Sequence, residues 1–185
     1  DGQQALVEVR DSSNEGTDLW LVDLTTGLRT RFTFAAGDEN RPWWSRSGEN
    51  VYYHSFANGK HQIIEQAVEG QGGAAILFES DRVVAPTGTS VGDEFLLLDY
   101  EREDGNFEMA RLSLVDGNGE METIATDPEG NLGGGVYSPD GRWIAAVGTD
   151  RQVHLWDGTS LKHVKTVPTT GSGGGCAWHK EGQKL

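Results

Sequence analysis

Residues 137–157 read YSPDGRWIAAVGTDRQVHLWD, and the fold can be worked out from this stretch. Two apolar runs, residues 143–147 and 152–156, lie on either side of Gly148-Thr149-Asp150. Short runs of this kind, separated by turn-forming residues, predict the two strands of a hairpin. The Ser-Pro-Asp-Gly before them predicts a tight reversal, because proline presets φ, aspartate can bond its own backbone and glycine accepts positive φ. The stretch therefore predicts a turn, a strand, a hairpin turn and a second strand.

The same outline recurs along the chain as an aromatic residue, a serine, turn residues, a glycine and a β-branched run. It is present at residues 44–53 and 178–185, in part at residues 1–7, and in a weaker form at residues 89–95. The turn glycines are Gly2, Gly48, Gly92, Gly141 and Gly182, with spacings of 46, 44, 49 and 41 residues. A period in the forties with several short strands per unit is typical of propeller blades.

Four units fit this period and predict a single propeller, or half-propeller, domain over residues 1–185. The blade units are approximately residues 1–34 together with 174–185, then 41–78, 83–125 and 134–168. The first unit has only three strand-like runs, whereas Gly175 to Trp178 has the pattern of a first strand. We therefore predict an all-β fold, a β-propeller of four-stranded antiparallel blades with four repeat units per chain. Its first blade would be completed by the C-terminal strand, which removes exposed strand edges.

Composition limits the classes of partner. The chain has 15 basic and 29 acidic residues and a net charge of −14, which argues against a nucleic-acid partner, because phosphate binding needs a basic surface. No apolar run approaches the roughly 18 residues of a membrane span, and no signal-peptide pattern is present. We therefore expect a soluble protein with no membrane partner, whose compartment the single cysteine does not indicate. Because the sequence begins at Asp1 rather than at methionine, we also expect a processed or truncated product.

Several motifs resemble known repeat families. Trp44-Ser45-Arg46-Ser47-Gly48, Tyr137-Ser138-Pro139-Asp140-Gly141 and the run Asp18 to Leu24 followed by Thr26-Gly27 resemble TolB-type propeller repeats. The fourth unit, residues 149–157, resembles instead a WD repeat, which ends a strand on Trp-Asp, although the upstream Gly-His pair of such repeats is absent. The resemblance implies a scaffold whose functions lie on loops at the ring faces and at the central channel. Two repeat patterns in one chain also suggest a recombined or designed sequence.

Motifs that carry chemistry are weak in this sequence. Residues 88–92 match the G-x-S-x-G nucleophile elbow, but that motif needs a following helix, and here a strand is predicted. Residues 116–120 place oxygen ligands at alternate positions, without the later glutamate of a calcium loop. The glycine-rich residues 171–175 lack the lysine and helix of a phosphate loop. The five histidines show no zinc-protease spacing. We therefore predict no catalytic residue, no cofactor and no metal, and hence no enzyme.

The connections between successive units are the most promising binding surface. The resemblance implies that these connections, residues 35–41, 79–83, 126–134 and 168–174, converge around one mouth of the channel. The charged residues assigned to this mouth are Asp38, Glu39, Arg41, Asp81, Arg82, Asp127 and Glu129. Such an acidic ring could attract a basic peptide or a cation, or it could serve only solvation. Because adjacent strand residues point to opposite faces, one of Trp43 and Trp44 is expected to line the channel.

The leading functional hypothesis is a non-catalytic scaffold or interaction module that binds a protein or peptide. A second hypothesis is an accessory propeller domain of a larger enzyme, and a third is a designed or recombined propeller with no evolved ligand. Four units could close alone, since propellers have about four to eight blades. Two copies could instead pair by two-fold symmetry, each terminal strand completing the other's first blade. We favour this homodimer, an eight-bladed ring. The remaining alternative is a fragment with missing blades on either side.

Overall fold

The computed structural model describes residues 2–10, 16–35, 37–69, 73–115, 119–127, 130–170 and 175–179. These residues form fifteen strands in four sheets and no helix. Sheet I contains β1 (Gln4–Arg10), β2 (Thr17–Asp23) and β3 (Arg29–Arg31), and sheet II contains β4 (Asp38–Trp44), β5 (Asn50–Ala57), β6 (Lys60–Ala67) and β7 (Ala75–Ser80). Sheet III contains β8 (Val84–Thr89), β9 (Phe95–Glu101), β10 (Phe107–Ser113) and β11 (Met121–Ala125), and sheet IV contains β12 (Leu132–Tyr137), β13 (Trp143–Gly148), β14 (Gln152–Asp157) and β15 (His163–Pro168).

Every sheet is an antiparallel meander whose strands pair in chain order. Sheet I packs against sheet II, sheet II against sheet III, and sheet III against sheet IV. Sheets II, III and IV have four strands each, as predicted, and the all-β propeller fold is confirmed. The strands β4, β8 and β12 are the innermost strands of these three sheets and lie next to one another. The space beside them is the channel of the propeller.

The reversal seen in the sequence has the same hydrogen bonds in three sheets. Ser45, Ser90 and Ser138 each end an innermost strand, and each side-chain Oγ accepts a backbone N–H from the residue five positions later, at 3.0, 2.9 and 3.0 Å. The serine N–H donates in return to the carbonyl of that same residue. The turn glycines that follow, Gly48 and Gly141, have φ of 77° and 73°, which favours glycine there. The repeat period therefore comes from one recurring turn.

The weaker third copy makes the same bonds and differs in one residue. In the reversals of sheets II and IV, the turn glycine donates its N–H to the serine carbonyl, whereas after Ser90 the donor is Asp93. Asp93 has a positive φ of 53° and follows Gly92, which is also positive at 83°. Residues 90–92 therefore form a turn that leads into β9, and the G-x-S-x-G motif is not followed by a helix. The prediction of a turn at this motif is confirmed.

The core lies between the sheets rather than within one of them. Leu96 and Leu98 pack with Ile63 and Val84 between sheets II and III, whereas Leu97 packs with residues of sheet IV. Consecutive strand residues point to opposite faces, so β9 contributes to two interfaces at once. A third cluster lies between sheets I and II and consists of Leu19, Phe32, Val51, Tyr53 and Ile64. Burial of these apolar side chains holds each sheet to its neighbours.

Sheet I has three strands, as the sequence predicted for the first unit. The innermost strand β12 contacts β9 and β10, the second and third strands of the sheet before it, and β8 contacts β5 and β6 in the same way. The corresponding contacts of β4 are with β1 and β2. The three strands of sheet I are therefore the second, third and fourth strands of a blade. No described strand takes the innermost position beside β1.

The predicted closing strand, Gly175 to Trp178, does not pair with β1 and has no strand assignment in the structure. It packs instead on sheet IV, where the Trp178 Nε1–H donates to the carbonyl of Val136 at 3.1 Å and the Cys176 thiol to that of Ala145 at 3.4 Å. Sheets I and IV are the first and last of the four sheets, and no described strand of sheet IV makes an extensive contact with sheet I. A segment lying on sheet IV therefore does not reach β1.

Candidate functional site

The channel wall consists of β4, which carries two tryptophans, and of β8 and β12, which contain glycine. β12 contains Gly133, Gly134 and Gly135, and β8 contains Gly88. A Cβ on Gly135 would lie 2.5 Å from the Met109 sulfur, and one on Gly133 would lie 3.1 Å from a carboxylate oxygen of Asp99. Glycine therefore lets β12 pack closely against sheet III. It also lets β8 approach β12, because a Cβ on Gly88 would lie 3.3 Å from the carbonyl oxygen of Gly135. The channel is the open space in front of these strands.

Trp43 occupies part of this space. A bulge between Asn40 and Trp43 interrupts the pairing of β4 with β5, and Trp43 is 36% exposed. Its neighbour Trp44 packs instead against the core between sheets I and II. A pocket of about 390 Å³ spans all three innermost strands and is lined by Pro42, Trp43, Trp44, Ser45, Arg46, Gly88, Thr89 and Tyr137. Trp43 is therefore the member of the pair that is exposed at the channel.

Arg46 closes the pocket at the end where the serine reversals lie, which we call the turn end. Its guanidinium donates to the carbonyls of Thr89, Ser138 and Pro139 at 3.4, 3.1 and 3.3 Å. Its backbone N–H donates to the Asp93 carboxylate at 2.7 Å. One side chain of sheet II therefore holds the turns of sheets III and IV. Sequence reasoning missed this role, because the three acceptors are backbone atoms far along the chain.

Arg41 lies at the opposite end of the channel, the mouth. Its φ is 52°, at the bulge of β4, and its backbone N–H donates to Glu8 at 2.6 Å. The side chain is exposed and makes no hydrogen bond or salt bridge to the described residues. A second pocket, of about 210 Å³, lies beside it and is lined by Arg41, Asp99, Phe107, Asn131, Gly133, Gly134, Val147 and Thr149. Arg41 thus presents a cationic group to the mouth of the channel.

Asp99 faces Arg41 across this second pocket. Burial raises the pKa of the Asp99 carboxyl, while the N–H of Gly134, at 2.9 Å, and the charge of Arg41 act in the opposite direction. The bond to Gly134 holds the carboxyl against β12, where a side chain at Gly133 would collide with it. The mouth therefore brings a carboxyl that is held by a hydrogen bond and the exposed guanidinium of Arg41 to one pocket.

The residues assigned to an acidic mouth occupy varied positions. Asp38, Glu39 and Arg41 lie in strand β4 rather than in a connection. Asp38 accepts the N–H of Thr17 at 2.8 Å, and Glu39 is only 1% exposed. The segment 38–41 was expected to be a loop because charged residues are uncommon in strands. Its backbone nevertheless pairs with β5, and this places Glu39 inside the protein.

Among the remaining members, the side-chain charges of Asp81 and Arg82 are paired. Asp81 forms a salt bridge with Lys60 at 2.5 Å, and Arg82 forms one with Glu103 at 3.0 Å. The Asp127 carbonyl accepts a hydrogen bond from Arg102 at 2.8 Å, and Glu129 lies outside the described residues. Exposed pairs of this kind contribute about 0 to 1 kcal/mol each, so they add little stability. They do, however, reduce the negative field that the sequence predicted at the mouth.

Glu39 belongs to the interface between sheets I and II. Its Oε1 accepts the hydroxyl hydrogen of Ser55 at 3.3 Å, whereas its Oε2 makes no hydrogen bond to the described residues. Burial raises the pKa of this carboxyl, and the nearby charge of Asp18 raises it further. Asp18 itself is buried and forms a salt bridge with Arg31 at 2.6 Å. Glu39 therefore has a structural role and is not available to a ligand in the channel.

His54 is buried, and Cys176 is partly buried. His54 hydrogen bonds to Asn40 at 3.0 Å and to His61 at 2.9 Å, and burial is the main cause that lowers its pKa to about 4. Burial also raises the pKa of the Cys176 thiol to about 11, which disfavours the nucleophilic thiolate. Within these residues, no group of three or more His, Cys, Asp or Glu side chains is placed to hold a metal ion. Nor is any helix there long and apolar enough to cross a membrane.

No protein-family model matches the chain. An uncharacterized protein of Agrobacterium fabrum is 26% identical over 136 residues, which are 70% of this chain and 46% of that protein. Among solved structures, TolB from Acinetobacter baumannii is similar with a TM-score of 0.81 at 17% identity, over 98% of this chain and 45% of that one. Oligogalacturonate lyase from Vibrio parahaemolyticus has a TM-score of 0.63 at 14% identity, over 90% of this chain and 49% of that one. The chain thus has a TolB-like propeller fold and spans just under half the length of these proteins.

Proposed function

We propose that this chain is a non-catalytic propeller domain that binds a protein or peptide in its channel. The observation that carries the proposal is Trp43, an exposed tryptophan in a pocket that three different sheets form together. Tryptophan and arginine are enriched among the residues that dominate binding energy at protein interfaces. Trp43 and Arg41 lie two residues apart on the same innermost strand. Together they offer an apolar contact and a cationic contact along one extended ligand.

The size of the pocket supports this proposal. Ligand-binding cavities are typically about 300 to 1,000 Å³, and the pocket beside Trp43, at about 390 Å³, lies at the lower end of that range. It is therefore large enough for one or two side chains of a bound peptide. Because the guanidinium of Arg46 already donates to three carbonyls, it forms the end of the pocket. The free guanidinium of Arg41 is the one placed to meet a ligand carboxylate.

A peptide selection tests this function. A displayed library of random peptides is selected on the immobilised 185-residue chain, and the recovered peptides are measured by fluorescence polarisation. We expect Trp43→Ala to weaken their binding at least tenfold. Phe34→Ala is the matched control, because Phe34 is 74% exposed and lies outside both channel pockets, so binding should be unchanged. Recovery of no peptide, or equal binding by the Trp43→Ala variant, would contradict the proposal.

A second candidate is an accessory domain of a longer enzyme. This is favoured by the similar proteins, which are about twice as long as the matched region and include a lyase. If the chain itself were a lyase of that kind, incubation with oligogalacturonates would produce unsaturated products that absorb ultraviolet light. We expect no such product, because burial raises the pKa of the Cys176 thiol and so disfavours a nucleophilic thiolate. Formation of that product would overturn the non-catalytic assignment.

The repeat types are also part of this proposal. We infer that the fourth unit is WD-like, on the basis of Asp150, which pairs with His154 at 3.0 Å, and Trp156, whose ring stacks on His154. A recombined or designed chain with no evolved ligand remains the third hypothesis. It predicts a stable, folded protein on which the peptide selection recovers nothing.

A further inference from the structure

The pocket beside Arg41, which we call the mouth pocket, is built by inner parts of the chain. Asp99 on β9 and Val147 on β13 line it, and Asn131 lies directly before β12. These residues belong to sheets III and IV, which pack against each other. Arg41 reaches the same pocket from β4, the innermost strand of sheet II. Three consecutive sheets therefore form the mouth pocket.

Two side chains offer hydrogen-bond donors to the mouth pocket. The Asn131 Oδ1 accepts the backbone N–H of Phe107 at 2.7 Å, and this bond orients the side-chain amide. The Asn131 Nδ2 makes no hydrogen bond to the described residues, and the same is true of the Arg41 guanidinium. A guanidinium pairs best with a carboxylate or a phosphate, which can accept two of its N–H groups at once. The donors of the pocket therefore suit an anionic group of the ligand.

Asp99 provides an acceptor in the same pocket. Its carboxyl accepts the N–H of Gly134 at 2.9 Å and has a second oxygen for a ligand donor. Another carboxylate, that of Glu8, accepts the backbone N–H of Arg41 at 2.6 Å. A phosphate group, with a charge of about −1.5 to −2, would be repelled by both carboxylates more strongly than a ligand carboxylate would be. The pocket therefore suits a carboxylate that has an N–H donor close to it.

The last residue of a peptide has this combination of groups, because its carboxylate and its backbone N–H are attached to the same Cα. The mouth pocket, at about 210 Å³, is smaller than the roughly 300 to 1,000 Å³ of cavities that hold a whole ligand. It therefore suits one residue of a longer ligand. Phe107 and Val147 are also part of its lining and offer an apolar contact to the side chain of that residue.

The mouth pocket and the pocket beside Trp43 follow each other along the channel. Gly133 lines the first and Tyr137 the second, and these residues of β12 are about 13 Å apart, at roughly 3.3 Å per strand residue. On β4, Arg41 and Trp43 are two residues apart. An extended peptide advances by a similar distance per residue. A peptide with its last residue at Arg41 would therefore place a side chain from two to four residues earlier beside Trp43.

We propose that the mouth pocket binds the C-terminal residue of a peptide, with the carboxylate on Arg41 and Asn131 and the last backbone N–H on Asp99. This inference rests on the proposed function, because the same peptide continues along the channel to Trp43. Capture of a terminal carboxylate by protein donors is a recurring mode of peptide recognition. The partner is therefore a protein or peptide that presents its free chain end, rather than one that presents an internal segment.

Two libraries of pentapeptides, labelled with fluorescein at the N-terminus, test the inference. One ends in a free carboxylate and the other in a carboxamide, and both contain aspartate and glutamate at other positions. Each library is selected on the immobilised 185-residue chain, and the recovered peptides are measured by fluorescence polarisation. We expect ligands from the acid library, and each should bind at least tenfold more weakly when it is resynthesised as the amide.

Arg41→Gln should remove the difference between the acid and the amide. Arg29→Gln is the matched control and should preserve it, because Arg29 is exposed on β3 and lines neither channel pocket. Circular dichroism verifies that both variants are folded. The comparison of acid with amide uses the parent chain alone, so it remains decisive if Arg41→Gln disturbs folding.

The outcomes separate this inference from the proposed function. Recovery of no peptide from either library would overturn both. Equal binding of acid and amide forms, with Trp43→Ala still weakening both, would overturn only the inference. A full preference for the acid in Arg41→Gln would also overturn it, because the carboxylate would then bind elsewhere. Amide peptides that bind through an internal aspartate or glutamate and depend on Arg41 would overturn the assignment to a chain end.

Discussion

Replacement of Arg46 by methionine tests how the innermost strands are held together at the turn end of the channel. Methionine retains much of the apolar stem but removes every hydrogen bond that the guanidinium makes. The bonds lost are those to the carbonyls of Thr89, Ser138 and Pro139, which belong to the turns of sheets III and IV. The substitution should therefore weaken the contact among three blades without changing the core of any of them.

The expected cost follows from the geometry of those bonds. A hydrogen bond to a charged group contributes about 1.5 to 3 kcal/mol when it is well formed and shielded. The bond to Thr89, at 3.4 Å, is long, and Arg46 is exposed on its outer side, so water can replace part of what is lost. We therefore expect the free energy of unfolding to fall by about 2 to 3 kcal/mol, less than the sum of three full bonds. For a chain of this length the melting temperature should fall by about 4 to 12 °C.

Urea denaturation followed by tryptophan fluorescence measures this cost. Arg29→Met is the control, because Arg29 is exposed on β3 and makes no side-chain hydrogen bond to the described residues, so its loss should cost less than about 0.5 kcal/mol. Equal unfolding free energies for Arg46→Met and Arg29→Met would refute the reasoning. They would mean that the three carbonyls are satisfied as well by water as by the guanidinium.

Three further predictions concern buried groups. Glu39 has a folded-state pKa above its unfolded value, so its contribution to the free energy of unfolding is lost as pH rises above about 4.5. Glu39→Gln should abolish this loss. Urea denaturation at pH 4.5 and 7 should therefore show that the free energy of unfolding of the variant, relative to the parent, is higher at pH 7. The pKa of His54 is lowered in the folded state, so the unfolded chain takes up a proton first and the free energy of unfolding falls as pH drops from 6.5 to about 4. An NMR titration of the His54 ring should show no protonation midpoint near pH 6.5. Gly135→Ala should lower the free energy of unfolding by about 1 to 3 kcal/mol, because its Cβ would press on the fully buried Met109. Gly73→Ala is the control, because its Cβ would lie in open space and should not lower stability. Thermal melts of the two variants measure the difference.

The outer strands could be predicted from the sequence because their residues alternate between core and solvent and end at recognisable turns. The innermost strands were harder. β4 begins at Asp38 and β12 at Leu132, several residues before the apolar pattern starts, and each contains a bulge. Side chains on these strands face the channel or a close neighbour, so charged residues and glycines replace the usual β-branched ones. The start of β4 was therefore predicted as a loop, together with its acidic residues.

The candidate site was predictable only in part. Two adjacent tryptophans in a strand must point to opposite faces, and this alone suggested that one of them lines the channel. The position of Arg41 beside sheets III and IV, and the hydrogen bonds of Arg46 to their turns, depend on how separate sheets pack together. The partners of Arg46 lie 43 to 93 residues away, and they are carbonyl groups, which every residue has. No pattern of side chains could have indicated them.

The serine reversal has a consequence for how such a sequence can change over time. Each reversal closes its own hydrogen bonds with the serine hydroxyl and main-chain atoms within five residues, and the Arg46 contacts that join the three turns are additional to these bonds. Whole repeats can therefore be copied, exchanged or lost as units, while the residues between the turns diverge freely as long as one face remains apolar. Ancestry in a protein of this kind is better preserved in the spacing of a few serines and glycines than in overall identity.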